Sequence, residues 1–310
     1  MAKKQYKPKD WSSYNQSKVK AGNIFLNLSE DINDWWYDKA TGVSNTGRPK
    51  RYSNRAIEFI LTIRCLFKTK FRQTQGFIEG LFSQMGIELS VPNYSTLSRR
   101  AKALHIVYRR QDFKDDIHIS VDSTGLKVHS GNQWNAYKHR KKDKQRWLKF
   151  HLAVDAKSGE IMASTLTDAC TSDSSQVSPL LNQIPDMLEG FYGDGAYDRH
   201  QVYDAIKSHQ DWPVDIIIPP VKTLKIPDDP SIELNQRQRH RLYLENHGLD
   251  KWRSKHKYGR RDKVEGTFAK FKATFGESLL SRDNCAQITE IRLKCRYLNK
   301  MNDLYTKGFH

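Results

Sequence analysis

Hydrophobic residues recur at helical spacing between residues 51 and 67. The positions that would share one face are Ala56, Ile57, Ile60, Leu61, Ile63 and Leu66. Apolar residues three or four positions apart line one side of an α-helix, so residues 51–67 are predicted to form a helix with a core-facing side. A basic turn at residues 47–50, which includes Pro49, precedes this helix.

Two shorter helical patterns follow. Thr74 is a candidate N-cap for a helix that ends at Gly86, and Asn93 is a candidate N-cap for a third helix reaching Leu104. The basic residues of this third helix are Arg99, Arg100 and Lys102. Three short helices, of which the last is basic, resemble a helix-turn-helix DNA-binding domain. An ordinary helical bundle with solvated charges is the alternative.

From Asp115 the pattern changes to the alternation that is typical of β-strands. The first predicted strand ends at Asp122, and strands 147–154 and 161–166 flank a turn. A helical segment, a short strand, a helix opening at Asp198 and another strand then follow in alternation. This order predicts an α/β sheet domain after an all-α domain. We divide the chain into a basic arm and linker, a helical DNA-binding domain and a catalytic domain, at residues 1–50, 51–112 and 113–310.

The charge of the chain favours a polyanionic partner. Its formal net charge is +17, and residues 1–110 carry 20 Lys and Arg against 8 Asp and Glu. Such a basic excess is typical of proteins that bind nucleic acids. No apolar run approaches the ~18 to 20 residues of a membrane span, so we expect a soluble cytoplasmic protein with no membrane partner.

Four residues that could take part in catalysis or ligand binding share one side of a predicted helix. Tyr258, Arg261, Glu265 and Lys272 fall within about 60° of one another at ~100° per residue. The apolar residues of the same helix fall about a quarter turn away, at Val264, Phe268, Phe271 and Phe275. An acidic residue among two cations and a tyrosine, on a rigid element, suits metal-assisted chemistry on a phosphate backbone.

Two further carboxylates are predicted at the ends of strands. Asp122 is followed closely by Gly125, and Asp194 directly by Gly195. Carboxylates beside turns are well placed to share divalent cations, and Glu265 would complete the set from the helix. Taken singly, each aspartate is more often a turn former or a helix cap. We leave Asp198 in that structural class.

Three ordered motifs carry a family resemblance. Residues 121–127 (VDSTGLK), residues 193–198 (GDGAYD) and the spacing Y-x2-R-x3-E-x6-K from Tyr258 to Lys272 resemble the motifs of insertion-sequence DDE transposases. Residues 147–160 add a fourth match, and the chain is similar to the branch called insertion-sequence family five. The resemblance spans residues 48–300.

The resemblance implies a ribonuclease-H-like catalytic fold in which Asp122, Asp194 and Glu265 bind Mg²⁺ or Mn²⁺. Arg261 and Lys272 would neutralise phosphates next to the scissile bond, and Tyr258 would contact DNA near it. Two basic runs flank these motifs: one, at residues 138–146, includes Lys141 and Lys142, and the other spans residues 251–263. Both are predicted DNA contacts, with a solvated surface as the alternative.

The resulting prediction is an enzyme that binds double-stranded DNA at the ends of its own element and at a target. It would cleave a strand and transfer the 3′-hydroxyl end, working as a homodimer or larger synaptic complex. A transposase-derived regulator that binds DNA without cutting it is one alternative. A metal-dependent nuclease that only hydrolyses DNA is the other.

Overall fold

The computed structural model of this chain describes residues 11–22, 31–38, 51–108, 117–128, 147–227, 229 and 231–307. By packing, these residues form two units. One takes the described residues up to Ile106 and from Asp283 onward, and the other takes those from Val107 to Arg282. The first unit is helical, and the second is built on a β-sheet.

The helical unit is held together by aromatic and aliphatic side chains. Its helices are α1 (Trp11–Ala21), α2 (Ile32–Trp36), α3 (Asn54–Phe67), α4 (Phe71–Gln84), α5 (Tyr94–Ala103) and, at the end of the chain, α11 (Asn284–Lys307). Trp36, Ile57 and Ile78 are fully buried in its core. The indole N–H of Trp36 also donates to the carbonyl of Ser90 (2.9 Å), so this large side chain is buried with its polar atom satisfied.

The predicted caps of these helices are partly confirmed. Asn93 caps α5 by accepting a hydrogen bond from the Ser95 N–H, as predicted. The prediction for Thr74 is wrong, because α4 begins at Phe71. The Thr74 hydroxyl lies inside the first turn, where it bonds to the Lys70 carbonyl at 3.0 Å. The hydroxyl therefore satisfies a carbonyl of the preceding turn and caps no N–H group.

Helix α11 packs in the helical unit, against α1, α3 and α5. Its buried residues Ala286 and Leu293 belong to the core of that unit. The division by packing thus differs from the predicted division by sequence, which placed all residues from 113 to 310 in one domain. No described helix combines the length and apolar composition needed to cross a membrane.

The sheet unit contains a mixed sheet in the order β3-β2-β1-β4-β5. The strands are β1 (Ile117–Val128), β2 (Trp147–Asp155), β3 (Ile161–Asp168), β4 (Leu188–Tyr192), β5 (Asp215–Ile217) and β6 (Ser278–Leu279). The first three are antiparallel, whereas β4 and β5 continue the sheet in parallel with β1. Strand β6 pairs in parallel with the last residues of β1.

Helices cover both faces of this sheet. They are α6 (Val177–Leu181), α7 (His200–His209), α8 (Gln236–His247), α9 (Leu249–Lys255) and α10 (Asp262–Phe275). On one face, Val121 and its neighbours pack with residues of α6 and α7. On the other face, Phe150 contacts the rings of Phe268 and Phe271 of α10. Side chains alternate along β1, so even-numbered residues face α10.

Two predictions about local structure are wrong. Asp122 does not end a strand: β1 continues for six more residues, and Gly125 pairs with Lys149 inside it. The second error concerns Tyr258 and Arg261, which were assigned to the same α-helix as Glu265. They form a separate 3-10 turn before α10, preceded by Lys257 in the left-handed conformation (φ 51°).

Candidate active site

Asp122 lies near the middle of β1, on the face that α10 covers. Its Oδ1 accepts a hydrogen bond from the backbone N–H of Ser123 at 2.8 Å, and its Oδ2 accepts one from Arg261 at 3.0 Å. Partial burial raises the pKa of the Asp122 carboxyl above its ordinary value of 3.8, against the lowering effect of these two partners. The negative charges of Asp194 and Glu265 raise the pKa of Asp122 further, so both carboxylates lie within electrostatic reach of Asp122.

Asp194 reaches the same region because β4 runs parallel to β1. Tyr192 of β4 is level with Ser120 of β1, and two more residues along each chain lead to Asp194 and Asp122. Asp194 begins a 3-10 turn, where its side chain accepts a hydrogen bond from the Ala196 N–H at 2.9 Å. The alignment follows from parallel pairing, since residues equally far along two parallel strands stay side by side, although β1 itself continues past Asp122.

Arg261 connects the helix side of the site to the sheet. Its guanidinium donates to Asp122 at 3.0 Å and to Glu265 at 2.6 Å. Its backbone carbonyl accepts a hydrogen bond from the Ser120 hydroxyl at 3.0 Å, which fixes the start of α10 over β1. One cation therefore bridges two of the three predicted carboxylates. The Glu265 side chain is 54% exposed, so that side of the cluster is open to solvent.

Tyr258 supports the loop that holds Asp194. Its hydroxyl donates to the carbonyl of Gly193 at 3.3 Å, and its ring packs against the buried Trp252 at 5.2 Å between centroids. A side chain at position 193 would come within 3.1 Å of Tyr197, so glycine is needed there for the turn to close. The Tyr258 hydroxyl is thus engaged in positioning the peptide next to Asp194.

Lys272 lies on α10 about two turns after Glu265, towards the end of the helix that is opposite Arg261. Its ammonium is 3.8 Å from the carboxylate of Glu277. The predicted set of four is therefore split: Arg261 contacts Glu265 directly, Tyr258 contacts the Asp194 loop, and Lys272 contacts a different acid. A single stripe on one helix did not describe this arrangement.

The donor set fits a divalent cation. Three carboxylates from three separate elements meet in one electrostatic environment, and a positive charge already lies between two of them. Carboxylate oxygens are the hard ligands that Mg²⁺ and Mn²⁺ prefer. Among the described residues, no three His, Cys, Asp or Glu side chains are grouped closely enough to hold an ion as they stand. Ion binding would therefore require these carboxylates to move closer together.

A second aspartate–arginine pair lies close by and was missed from the sequence. Asp198 is buried and accepts hydrogen bonds from Arg237 at 2.6 and 2.8 Å, from the Tyr203 hydroxyl and from the Val221 N–H. It closes the 3-10 turn that Asp194 begins, but it does not cap α7, which begins at His200. The pair anchors the residues after Asp194 to α8. Arg237 lies in a polar run with no pattern that singles it out.

The predicted DNA contacts of the helical unit differ in their surroundings. Arg99 is exposed on α5. Arg100 donates to the Tyr52 carbonyl at 2.9 Å and to Asn54 at 2.6 Å, which ties α5 to the start of α3. Lys102 pairs with Asp283 at 3.0 Å. The predicted contacts Lys141 and Lys142 lie outside the described residues.

Comparison with protein-family models gives two matches. Both models carry the description "Transposase DDE domain"; one matches residues 19–131 and the other matches residues 113–299. The second match covers more than half of the chain and includes Asp122, Asp194 and Glu265. It spans the whole described sheet unit from β1 onward, whose mixed sheet fits the ribonuclease-H-like fold of such domains.

Proposed function

Because this chain belongs to the DDE transposases, we propose that it cleaves a DNA strand at the ends of its own element and joins the liberated 3′-hydroxyl to a target. The proposal assigns it to the insertion-sequence family five branch. The observation that supports the proposal most strongly is that the Arg261 guanidinium bridges Asp122 and Glu265, while the charge of Asp194 raises the pKa of Asp122. Two carboxylates that share one guanidinium, with a third that raises the pKa of Asp122, offer the hard oxygen donors that a divalent cation prefers.

In this proposal Asp122, Asp194 and Glu265 hold Mg²⁺ or Mn²⁺. Such ions make water a stronger nucleophile and stabilise the oxygen that leaves in an in-line displacement at phosphorus. Asp122 contributes from the rigid sheet and Asp194 from the turn after β4, whereas the more exposed Glu265 contributes from α10. Asp122 is thus fixed by strand pairing and Asp194 by its turn, whereas the exposed Glu265 has room to adjust.

Arg261 would exchange partners when DNA is bound. Its present hydrogen bonds go to carboxylates, and a guanidinium binds phosphate oxygens with the same forked geometry. Releasing the carboxylates would leave them for the ion while the guanidinium neutralises a phosphate next to the scissile bond. Tyr258 would act beside it by holding the Gly193 peptide, and hence Asp194, in place.

Recognition of the element ends would come from the helical unit, with Arg99 of α5 as the exposed contact. Arg100 and Lys102 would contribute by fixing α5 as well as by their charge, since both already bind within the unit. Lys141 and Lys142 would contact DNA near the catalytic residues. Joining two ends in concert requires at least a dimer, and the substrate would place the protein on the DNA of the cytoplasm.

The assignment of the carboxylates is tested by replacing each one with alanine. We expect Asp122→Ala, Asp194→Ala and Glu265→Ala to lower nicking of element-end DNA by about a thousandfold or more, because each would remove an ion ligand. Binding of the same DNA in a gel-shift assay should stay within a few fold of wild type. Asp262→Ala is the matched control, since Asp262 is an exposed acid on the same helix.

Substantial nicking by any pure alanine variant would remove that residue from the proposed set. Pre-cut ends separate the transposase from the two alternatives. Ends with a 3′-hydroxyl should join to target DNA in Mg²⁺, whereas ends with a 3′-deoxy nucleotide should bind and never join. Nicking without joining would identify a nuclease, and binding without either reaction would identify a regulator.

A further inference from the structure

An exposed lysine–tryptophan pair lies at the end of β1, away from the carboxylates. Lys127 of β1 is directly opposite Trp147 of β2, and its ammonium is 5.3 Å from the centroid of the indole ring. The Trp147 side chain is 39% exposed, although it is one of the largest apolar groups of the sheet unit. By alternation, both residues lie on the face opposite Asp122, about 17 Å further along the strand.

The backbone around this pair is built to present the indole ring. A Cβ atom at Gly125 would lie 3.1 Å from the Trp147 ring, so the glycine lets the ring lie over β1. The Trp147 ring therefore lies over Gly125 of the neighbouring strand β1, with one side of the ring against the sheet. An aromatic ring fixed in this way loses little further freedom when a second flat group stacks on it.

Glu277 brings Lys127 and Lys272 together. Its carboxylate is 3.6 Å from the Lys127 ammonium and 3.8 Å from the Lys272 ammonium. The chain turns back sharply after α10 at Gly276, where φ is 78°, and the Glu277 carbonyl then accepts a hydrogen bond from the Lys127 N–H at 2.8 Å. This geometry places one acid between two lysines that come from different elements.

The two ion pairs are weak and exchangeable. Both distances are longer than a good charged hydrogen bond, and all three side chains are about one third to one half exposed. Exposed pairs of this kind contribute only ~0.2 to 1 kcal/mol. A backbone phosphodiester has the same single charge as a carboxylate, but neighbouring phosphates of the strand add to its attraction for the two lysines. It would therefore compete with the weakly held Glu277 carboxylate.

We propose that Lys127, Lys272 and Trp147 form a second DNA-binding site at this edge of the sheet. A backbone phosphate binds between the two lysines, and an unpaired base of the same strand stacks on Trp147. Glu277 occupies the phosphate position until DNA arrives. The inference rests on the proposed function for its ligand, but it assigns Lys127, Trp147 and Glu277 a role that the carboxylate cluster does not explain.

The acid and the lysine are tested by charge-neutral substitutions in the full-length protein. Labelled probes are a blunt mixed-sequence duplex and the same duplex with a single-stranded thymidine overhang, and binding is followed by fluorescence anisotropy. Glu277→Gln should tighten binding to both probes about two- to tenfold by removing the competing carboxylate. Lys127→Gln should weaken binding and reduce the slope of log Kd against log salt by about 0.9 for the duplex.

The indole is tested on the overhang probe. Trp147→Ala should weaken binding of that probe by about tenfold, whereas Trp147→Phe should retain most of the affinity because it keeps a ring. The blunt duplex should bind Trp147→Ala nearly as well as wild type. Matched controls in the sheet unit are the exposed residues Glu233, Lys207 and Trp212, substituted in the same way.

Two results would overturn the proposal. One is that Glu277→Gln and Lys127→Gln leave affinity and salt slope at the values of their controls. The other is that Trp147→Ala and Trp212→Ala bind the overhang probe alike. In either case the proposed function would still stand if the wild-type protein binds and nicks element-end DNA. If wild type binds neither probe, the second site is refuted, whereas the proposed function is judged separately by binding and nicking of element-end DNA.

Discussion

Each of the two units contains an arginine that pairs with an acidic residue, and the two pairs differ in how deeply they are buried. In the helical unit, Arg64 lies 3.9 Å from Glu290, which also pairs with Lys294 at 2.7 Å. These side chains are 5%, 1% and 1% exposed, respectively. In the sheet unit, Arg261 bridges Asp122 and the largely exposed Glu265.

The difference in burial explains what each cluster is suited to do. A charge that is buried and then loses its partner is strongly destabilising, so the helical cluster is permanent once the unit has folded. A partly exposed pair is exchanged at little cost, because water and ions replace the lost partner. The same residue types thus stabilise the fold in one unit and remain available for a ligand in the other.

The largest stability effect is expected from breaking the buried cluster. Glu290→Ala should lower the free energy of unfolding by about 3 to 5 kcal/mol, because it removes the buried carboxylate that pairs with both Arg64 and Lys294. Urea denaturation followed by circular dichroism measures it. Asp283→Asn is the matched control in the same unit: it weakens the exposed Lys102 pair and should have a much smaller effect. Equal losses for the two variants would contradict the contrast drawn from burial.

The sequence predicts those features whose causes are local. The turn between β2 and β3 is one: the Asp155 side chain accepts a hydrogen bond from the Lys157 N–H, and Gly159 adopts a φ of 76°. Aspartate and glycine each act there within a few residues. The N-cap at Asn93 is another such feature.

Features with distant causes were not predictable in the same way. Gly125 resembles a turn residue in the sequence, yet it lies within β1 because the ring of Trp147 covers it from the next strand. Asp198 resembles a cap, yet its partner Arg237 is 39 residues away. Helix α11 packs against α1, α3 and α5, which are far from it in the sequence. Such outcomes depend on pairing that only the folded chain defines.

The candidate site residues also divide into those that the sequence identifies and those whose contacts depend on the fold. Asp122, Asp194 and Glu265 were identified through ordered motifs, and the structure brings them into one electrostatic environment. The role of Tyr258 was not accessible from the sequence, because its hydroxyl bonds to the carbonyl of Gly193, 65 residues away. Arg261 keeps the helical relation to Glu265, with which it pairs four residues along the chain, whereas its bond to Asp122 of β1 depends on the fold.

A buried histidine is expected to give a stability effect of intermediate size. Its neutral imidazole is buried without the desolvation cost of a charge. His240 is buried against Trp252 and stacked on His256, with the cations Arg239 and Lys255 nearby. Burial and then these like charges lower its pKa from 6.5 to about 4. The folded protein therefore binds fewer protons than the unfolded chain between these values, so stability is full above pH 6.5 and is lost as pH falls toward 4.

Across that interval we expect His240 to account for roughly 1 to 3 kcal/mol of the loss in unfolding free energy. His240→Phe keeps a ring in the stack and should reduce the pH dependence measured by urea denaturation at pH 7.5 and pH 4.5. His151, with a pKa also lowered to about 4, would keep its own share in this variant. An unchanged difference between the two pH values would show that His240 is protonated in the folded state.

The smallest stability effect should come from Arg261→Lys. Lysine cannot donate to Asp122 and Glu265 with the fork of a guanidinium, so one of these partly exposed bonds is lost. Loss of such a pair should change the free energy of unfolding by less than about 1 kcal/mol, while nicking of element-end DNA falls more than DNA binding does. Arg64→Lys is the matched substitution in the buried cluster and should destabilise more, with nicking per folded molecule unchanged. If Arg261→Lys destabilised the protein as much as Arg64→Lys, the Arg261 cluster would belong to the fold and its proposed exchange with DNA would have no support.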